Sequence, residues 1–238
     1  MAVISFDLTV TSTSTDVEHL MIILNPNLIM NTGKNYESYF PVAWKVLIFS
    51  SNEFPQKPAP ITISYKSDVT AIIQQIDSGN IVTAADYEPI QDAGTVFDIT
   101  LDQDVAKLVD TKKRRTDFTT VIVDKQQNPY YVGLGDSHAK SYLTMQVQPE
   151  NAIGFKYTPE FAIVPVGKTV EGSKVVSGTT LKPWFSFNLD DVTNTSPSIT
   201  YDGEKIASED GINTTSHGAD EEVFGGGPEH AQEPPTDL

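Results

Sequence analysis

Cysteine is missing altogether from the 238 residues. Zinc fingers, thiol catalysis, disulfide scaffolds and cysteine-ligated clusters are thereby excluded. Long apolar runs are missing too, none approaching the roughly 20 residues a membrane helix requires. Basic residues are scarce: 16 Lys and Arg stand against 32 Asp and Glu, a formal net charge of −16. So acidic a surface repels phosphate backbones and anionic lipids, which argues against nucleic-acid binding through a general electrostatic footprint and against adsorption to such membranes. The segment Met1–Asp7 carries neither a basic n-region nor a continuous apolar h-region. A secretory signal is not expected and a cytoplasmic protein is, although a mature secreted chain with a re-added Met would look the same.

What the sequence does contain is strand pattern. The length suits one large all-β domain or two small stacked sandwiches and is enough to bury a core without staples. Pro41–Ser50 (PVAWKVLIFS) is short, β-branched and aromatic, and reads as a strand apolar on both faces and therefore central. Ile4, Phe6, Leu8 and Val10 alternate with polar residues, as a half-buried strand does. Val69–Ile76 is ambiguous between helix and strand, and its β-branched content favours strand. Further strands are expected at His19–Leu24, Ile61–Tyr65, Phe118–Asp124, Tyr130–Leu134, Ser141–Gln148, Phe161–Val166, Lys174–Val176, Trp184–Leu189 and Ser198–Tyr201, separated by Pro-, Gly- and Asn-bearing turns. Such spacing indicates a β-sandwich or barrel. One short helix is expected over Asp104–Arg115, where Val105, Leu108 and Val109 have i, i+3, i+4 spacing and basic residues collect at the far end.

Phe6-Asp7-Leu8-Thr9-Val10 recurs as Phe97-Asp98-Ile99-Thr100-Leu101. Chance recurrence of an alternating pattern accounts for this more simply than duplication. The sandwich region is expected to run over 1–201, with a subdivision conceivable near 92–96. From 202 to 238 acidic residues are strewn among Gly, Ser, Thr and Pro. That stretch offers little apolar surface to repay ordering and is expected to be a flexible tail.

Candidate chemistry is sparse. The histidines His19, His138, His217 and His230 show no metal-motif spacing, so no metal or cofactor is expected. Gly133-Leu134-Gly135-Asp136-Ser137-His138 brings Ser, His and Asp together, but neighbours on one turn cannot form a triad, and a hairpin loop with Asp136 making the turn is the better reading. Lys112-Lys113-Arg114-Arg115 is the one basic cluster; it suits an anionic ligand or the acidic tail, and more simply a solvated helix end. Asn188, Asp190, Asp191 and Asn194 offer hard oxygen ligands without the calcium-loop pattern. Asn194 and Asn213 begin glycosylation sequons, which matter only for an exported chain.

Aromatics near loop ends are the more useful feature. Tyr36, Tyr39, Tyr130, Tyr131 and Trp184 could stack on a sugar ring or hold another small ligand, with Asn and Asp nearby to orient it; ordinary core packing is the alternative. The leading expectation is a non-enzymatic protein that binds a carbohydrate or other small molecule through these residues. Self-association as a structural homo-oligomer is the second, and an enzyme with a pocket in a β-barrel and no recognisable motif the third.

Overall fold

The computed structural model describes residues 5–14, 18–24, 40–49, 59–157, 159–167, 169–175, 184–188, 192, 196–208, 212 and 214–217. Their regular secondary structure is all strand, with no helix among the described residues. In chain order the strands are β1 (Ser5–Ser12), β2 (Glu18–Leu24), β3 (Phe40–Pro41), β4 (Lys45–Phe49), β5 (Ile61–Lys66), β6 (Thr70–Ile76), β7 (Val82–Pro89), β8 (Thr95–Asp102) and β9 (Val105–Arg114). There follow β10 (Thr120–Asp124), β11 (Tyr130–Gly135), β12 (Leu143–Val147), β13 (Ala152–Phe155), β14 (Glu160–Val166), β15 (Trp184–Asn188), β16 (Ser198–Tyr201), β17 (Ile206–Ser208) and β18 (Thr214–His217).

They assemble into four sheets, ordered β17-β16-β1-β5, β13-β10-β8-β9, β3-β12-β11-β6-β7 and β18-β15-β14-β2-β4. β17 lies against β18, and β9 against β6 and β7, so the first sheet meets the fourth and the second meets the third. The resulting all-β, sandwich-like fold has an insertion architecture. Residues 70–155 build the second and third sheets between β5 and β14, whereas the first and fourth sheets come from the chain on either side. β3 is the exception: it leaves the first part of the chain to pair with β12 of the inserted part. One continuous apolar core runs through all four sheets, from Phe6, Leu8 and Leu20 through Trp44 and Phe161 to Phe97, Ile122 and Val132.

Pro41–Ser50 is not a central strand. Its first residues pair in the third sheet and Lys45–Phe49 forms an edge of the fourth, so the chain crosses between sheets at Val42–Trp44. All three crossing residues are buried, and their amides bond outward in turn, to Tyr142 O, Ser173 O and Ile22 O at 2.9, 2.9 and 3.0 Å. The apolar run on both faces therefore reflects a buried crossing rather than a doubly covered strand. Past it, normal alternation resumes, with Leu47 and Phe49 inward and Ile48 exposed.

The helix expected over Asp104–Arg115 is also absent; this segment is β9. Asp102 pairs with Val105 across a two-residue loop whose members, Gln103 and Asp104, both have positive φ (49° and 65°). A hairpin turn that matches the strand twist requires that backbone. The helical spacing of Val105, Leu108 and Val109 was fortuitous: Leu108 packs inward and the two valines face out. Near its end β9 bulges, with Lys112 at φ 63° and the register slipping opposite Val96. Asp110 holds this bulge by accepting from the Lys112 amide at 2.7 Å. The basic cluster is thus the outer end of an edge strand. Lys112 pairs with Asp110, and Arg114 with Asp110 and Asp92.

β1 and β6 form as the alternation and the β-branched content imply. β13, β17 and β18 were not anticipated, and the last two fall within the stretch expected to be a tail. Ser173 and Lys174 make only isolated bridges. The recurring pentapeptide lies in β1 and β8, and the two strands have the same neighbour pattern. Each has an antiparallel partner on one side (β5, β9) and a parallel partner on the other (β16, β10), which pairs in turn with an antiparallel edge (β17, β13). The parallel registers differ, starting at Thr9 in one and at Thr95 in the other.

Candidate functional site

Where the inserted part joins the rest of the chain, a cleft of about 450 Å³ opens among Ser67, Asp68, Val69, Thr70, Pro89, Ile90, Gln91, Ala93, Thr119, Ser137 and Tyr157. Its walls are connections. They comprise the loop from β5 to β6, the turn from β7 to β8, the lead into β10, the turn after β11 and the exit from β13. Irregular backbone must gather at strand ends, and ligand sites are commonly built there on a rigid scaffold.

The wall is held by specific bonds. Thr70 donates its hydroxyl to the Asp136 carbonyl at 3.0 Å, fastening the start of β6 to the turn after β11. Thr119 accepts from the Tyr157 amide at 2.8 Å. The Tyr157 hydroxyl meets that of Tyr65 at 2.6 Å, and its ring stacks on Tyr142 at 6.0 Å. Behind these tyrosines lies an aromatic cluster of Trp44, Tyr65, Tyr142 and Phe161 with centroids 5.3–6.2 Å apart. Edge-to-face packing dominates it, as ring quadrupoles favour. Burial pushes the hydroxyls of Tyr157 and Tyr142 far up from their ordinary pKa, with each other and Tyr65 adding to the effect on Tyr157. Both phenols stay neutral and cannot act as bases; the Tyr157 hydroxyl is a hydrogen-bonding group through Tyr65.

Asp136 organises the turn. Its Oδ1 accepts from the amides of His138 and Lys140 at 2.8 and 3.0 Å, and its Oδ2 accepts from the indole of Trp44 at 3.0 Å. The expected loop is thus borne out only in its second half: Gly133-Leu134-Gly135 is the end of β11, paired with β6, and Asp136-Ser137-His138 makes the turn. Ser137 and the exposed His138 stand 3.5 Å apart at its tip. Asp68 is the one carboxylate on the cleft wall, and Lys66 pairs with it. Chemically the wall supplies short hydroxyls, one amide side chain, one neutralised carboxylate, an aromatic ring and apolar patches from Val69, Pro89, Ile90 and Ala93. Among the described residues no group of three or more His, Asp or Glu is placed to hold a metal ion.

Of the five aromatics singled out by sequence, Tyr130 and Tyr131 are described in full, and neither is a cleft residue. Tyr130 and Tyr131 are half-buried on β11, where Tyr130 leans on the main core and Tyr131 sits opposite Gln74 and Gln146. Tyr36 and Tyr39 lie outside the described residues, as does the side chain of Trp184, whose backbone pairs with His217. Asp190, Asp191, Asn194 and Asn213 are likewise outside them. Sequence reasoning missed Tyr157 and Thr119 because each sits beside a strand end with no turn motif of its own. The available signal was the polar Thr119 following buried Phe118, and Tyr157 two residues beyond buried Phe155.

None of the helices that could cross a membrane, long and apolar, occurs among the described residues. Comparison with known proteins finds no matching family model, no matching characterised protein and no matching solved structure.

Proposed function

We propose that the chain is a non-enzymatic binding protein that takes a small hydroxyl-rich ligand, such as a carbohydrate, in the cleft where the inserted strands meet the rest of the fold. The observation that carries this reading is the cleft itself. Its volume of about 450 Å³ lies within the range of roughly 300–1,000 Å³ in which small molecules are bound. Hydroxyls from Ser67, Thr119 and Ser137, with the Gln91 amide, would orient ligand hydroxyls, and Tyr157 with Val69 and Ile90 would take its less polar face. The site favours a neutral ligand, because its one acid is already paired with Lys66.

Ala93 is an exposed wall residue, so Ala93→Trp fills the cleft without entering the core. Calorimetric screening against mono- and oligosaccharides should find a binder that Ala93→Trp no longer binds while its melting temperature stays unchanged. A blank panel, or a binder indifferent to that substitution, would overturn the assignment.

Self-association draws on a different observation. Tyr87 on β7 and Val105 and Val109 on the adjacent edge strand β9 are each about half exposed, and exposed edges with apolar side chains invite strand pairing. Light scattering at high concentration that reports a strict monomer removes this second reading.

A further inference from the structure

On the far side of the 136–140 turn, two lysines converge on one acid. Lys140 Nζ lies 2.5 Å from Glu171 Oε1, and Lys45 Nζ lies 3.7 Å from the same oxygen. One carboxylate cannot neutralise two ammonium groups, and the closer lysine holds it. Lys45 is also the more enclosed of the pair, with 22 % of its side chain exposed against 47 % for Lys140. Its stem leaves edge strand β4 beside the Trp44 ring, and its Nζ is 5.4 Å from that ring's centroid. Asp136, the other charged group facing the pair, is already committed to the Trp44 indole and two backbone amides.

We propose that Lys45 is a reactive amine, a site at which small aldehydes or ketones form an imine. Desolvation and the neighbouring Lys140 ammonium lower the pKa of Lys45, with Glu171 and Asp136 opposing, while Glu171 raises that of Lys140. A lysine beside a second cation and partly withdrawn from water is the arrangement that makes an amine nucleophilic near neutrality. In the reaction the Lys45 nitrogen lone pair attacks the carbonyl carbon, and the proton the nitrogen sheds passes through solvent to the oxygen. The carbinolamine then loses water, so one C=N bond replaces one C=O bond with no oxidant or reductant required. This site is separate from the cleft, and its test does not depend on a cleft ligand.

The experiment exposes the full chain briefly at pH 7 to glycolaldehyde with cyanoborohydride, which reduces the imine to a stable secondary amine, and maps modified lysines by peptide mass. Lys45 should be modified several-fold faster than the exposed Lys113, since each unit of lowered pKa raises the neutral fraction about tenfold. Lys140→Gln should abolish that preference, and Glu171→Gln should preserve or increase it. Should Lys140→Gln not fold, the wild-type rate at Lys45 followed against pH serves instead, and its midpoint should fall clearly below the value of about 10.4 for a free lysine. Labelling of Lys45 no faster than Lys113, a preference that survives loss of Lys140, or a midpoint equal to that of free lysine would each overturn the proposal.

Discussion

The indole of Trp44 donates to the carboxylate of Asp136 at 3.0 Å, across 92 residues of sequence. Trp44 belongs to the buried crossing between sheets and Asp136 to the turn that walls the cleft, so this one bond ties the outer part of the fold to the inserted part. Both residues are buried, and a buried acceptor deprived of its donor costs about 1–3 kcal/mol. Trp44→Phe keeps the ring contacts with Tyr65, Tyr142 and Phe161 while deleting the donor. Urea unfolding should show a loss in that range, and a double-mutant cycle with Asp136→Ala should be clearly non-additive, as for residues in direct contact.

Glycine requirements separate cleanly. A Cβ on Gly133 would stand 2.1 Å from the Leu143 carbonyl oxygen and 2.6 Å from Gln74 Nε2, whereas one on Gly167 would meet nothing within 4 Å. Gly133→Ala should destabilise the fold by at least the 1–3 kcal/mol or so typical of overpacking. Gly167→Ala should be neutral or slightly stabilising, because it only narrows the unfolded ensemble. Melting temperatures of the two variants measured together make the comparison.

Asp124 sets a pH dependence. It is fully buried at the end of β10, where Oδ1 accepts from the Gln126 amide at 2.7 Å and Oδ2 has no hydrogen-bond partner among the described residues. Burial raises its pKa above the usual 3.8, the Gln126 bond opposing. The folded state therefore holds this proton more tightly than the unfolded chain does. The associated stability is complete below 3.8 and is lost as pH rises through the folded value. Asp124→Asn removes that loss, so the variant should gain on the wild type between pH 4 and pH 7 in denaturant midpoints (the window follows from that carboxylate reference). A gap independent of pH would contradict the assignment.

Asp86 guards an exposed edge. From β7 its Oδ2 accepts from the Leu108 amide of β9 at 2.8 Å, and its Oδ1 accepts from Lys107 at 3.2 Å. Without this cap an edge-strand donor is left free to pair with another chain. Asp86→Ala should speed amide hydrogen exchange at Leu108 about tenfold, the equivalent of one lost hydrogen bond of about 1.4 kcal/mol. It should also increase association in light scattering.

Where the sequence succeeded, the information was local. Alternation in β1 and the β-branched content of β6 identify strands because side-chain direction is a property of each residue's own backbone. Asp136 is legible as a turn residue because its carboxylate caps amides two and four positions on. Where the sequence misled, two local patterns competed. The spacing of Val105, Leu108 and Val109 suits a helix face, and the hairpin won because β9 finds a partner in β8 and the Gln103–Asp104 turn accepts positive φ. Tyr130 and Tyr131 follow an Asn-Pro turn in sequence, and closeness to a turn does not say which turns meet in space.

By itself the sequence determined the all-β class, the absence of cysteine chemistry, the acidic surface and most strand positions. Those follow from composition and from a two-residue period. Only the tertiary structure decided that 70–155 is inserted within the remaining sheets, that Pro41–Ser50 crosses between two of them, and that Tyr157, Thr119 and Ser137 share a cleft. It alone brought Lys45, Lys140 and Glu171 together. The physical reason is that strand partners are chosen by burial summed over the whole chain, so groups remote in sequence become neighbours through pairings that no single segment encodes.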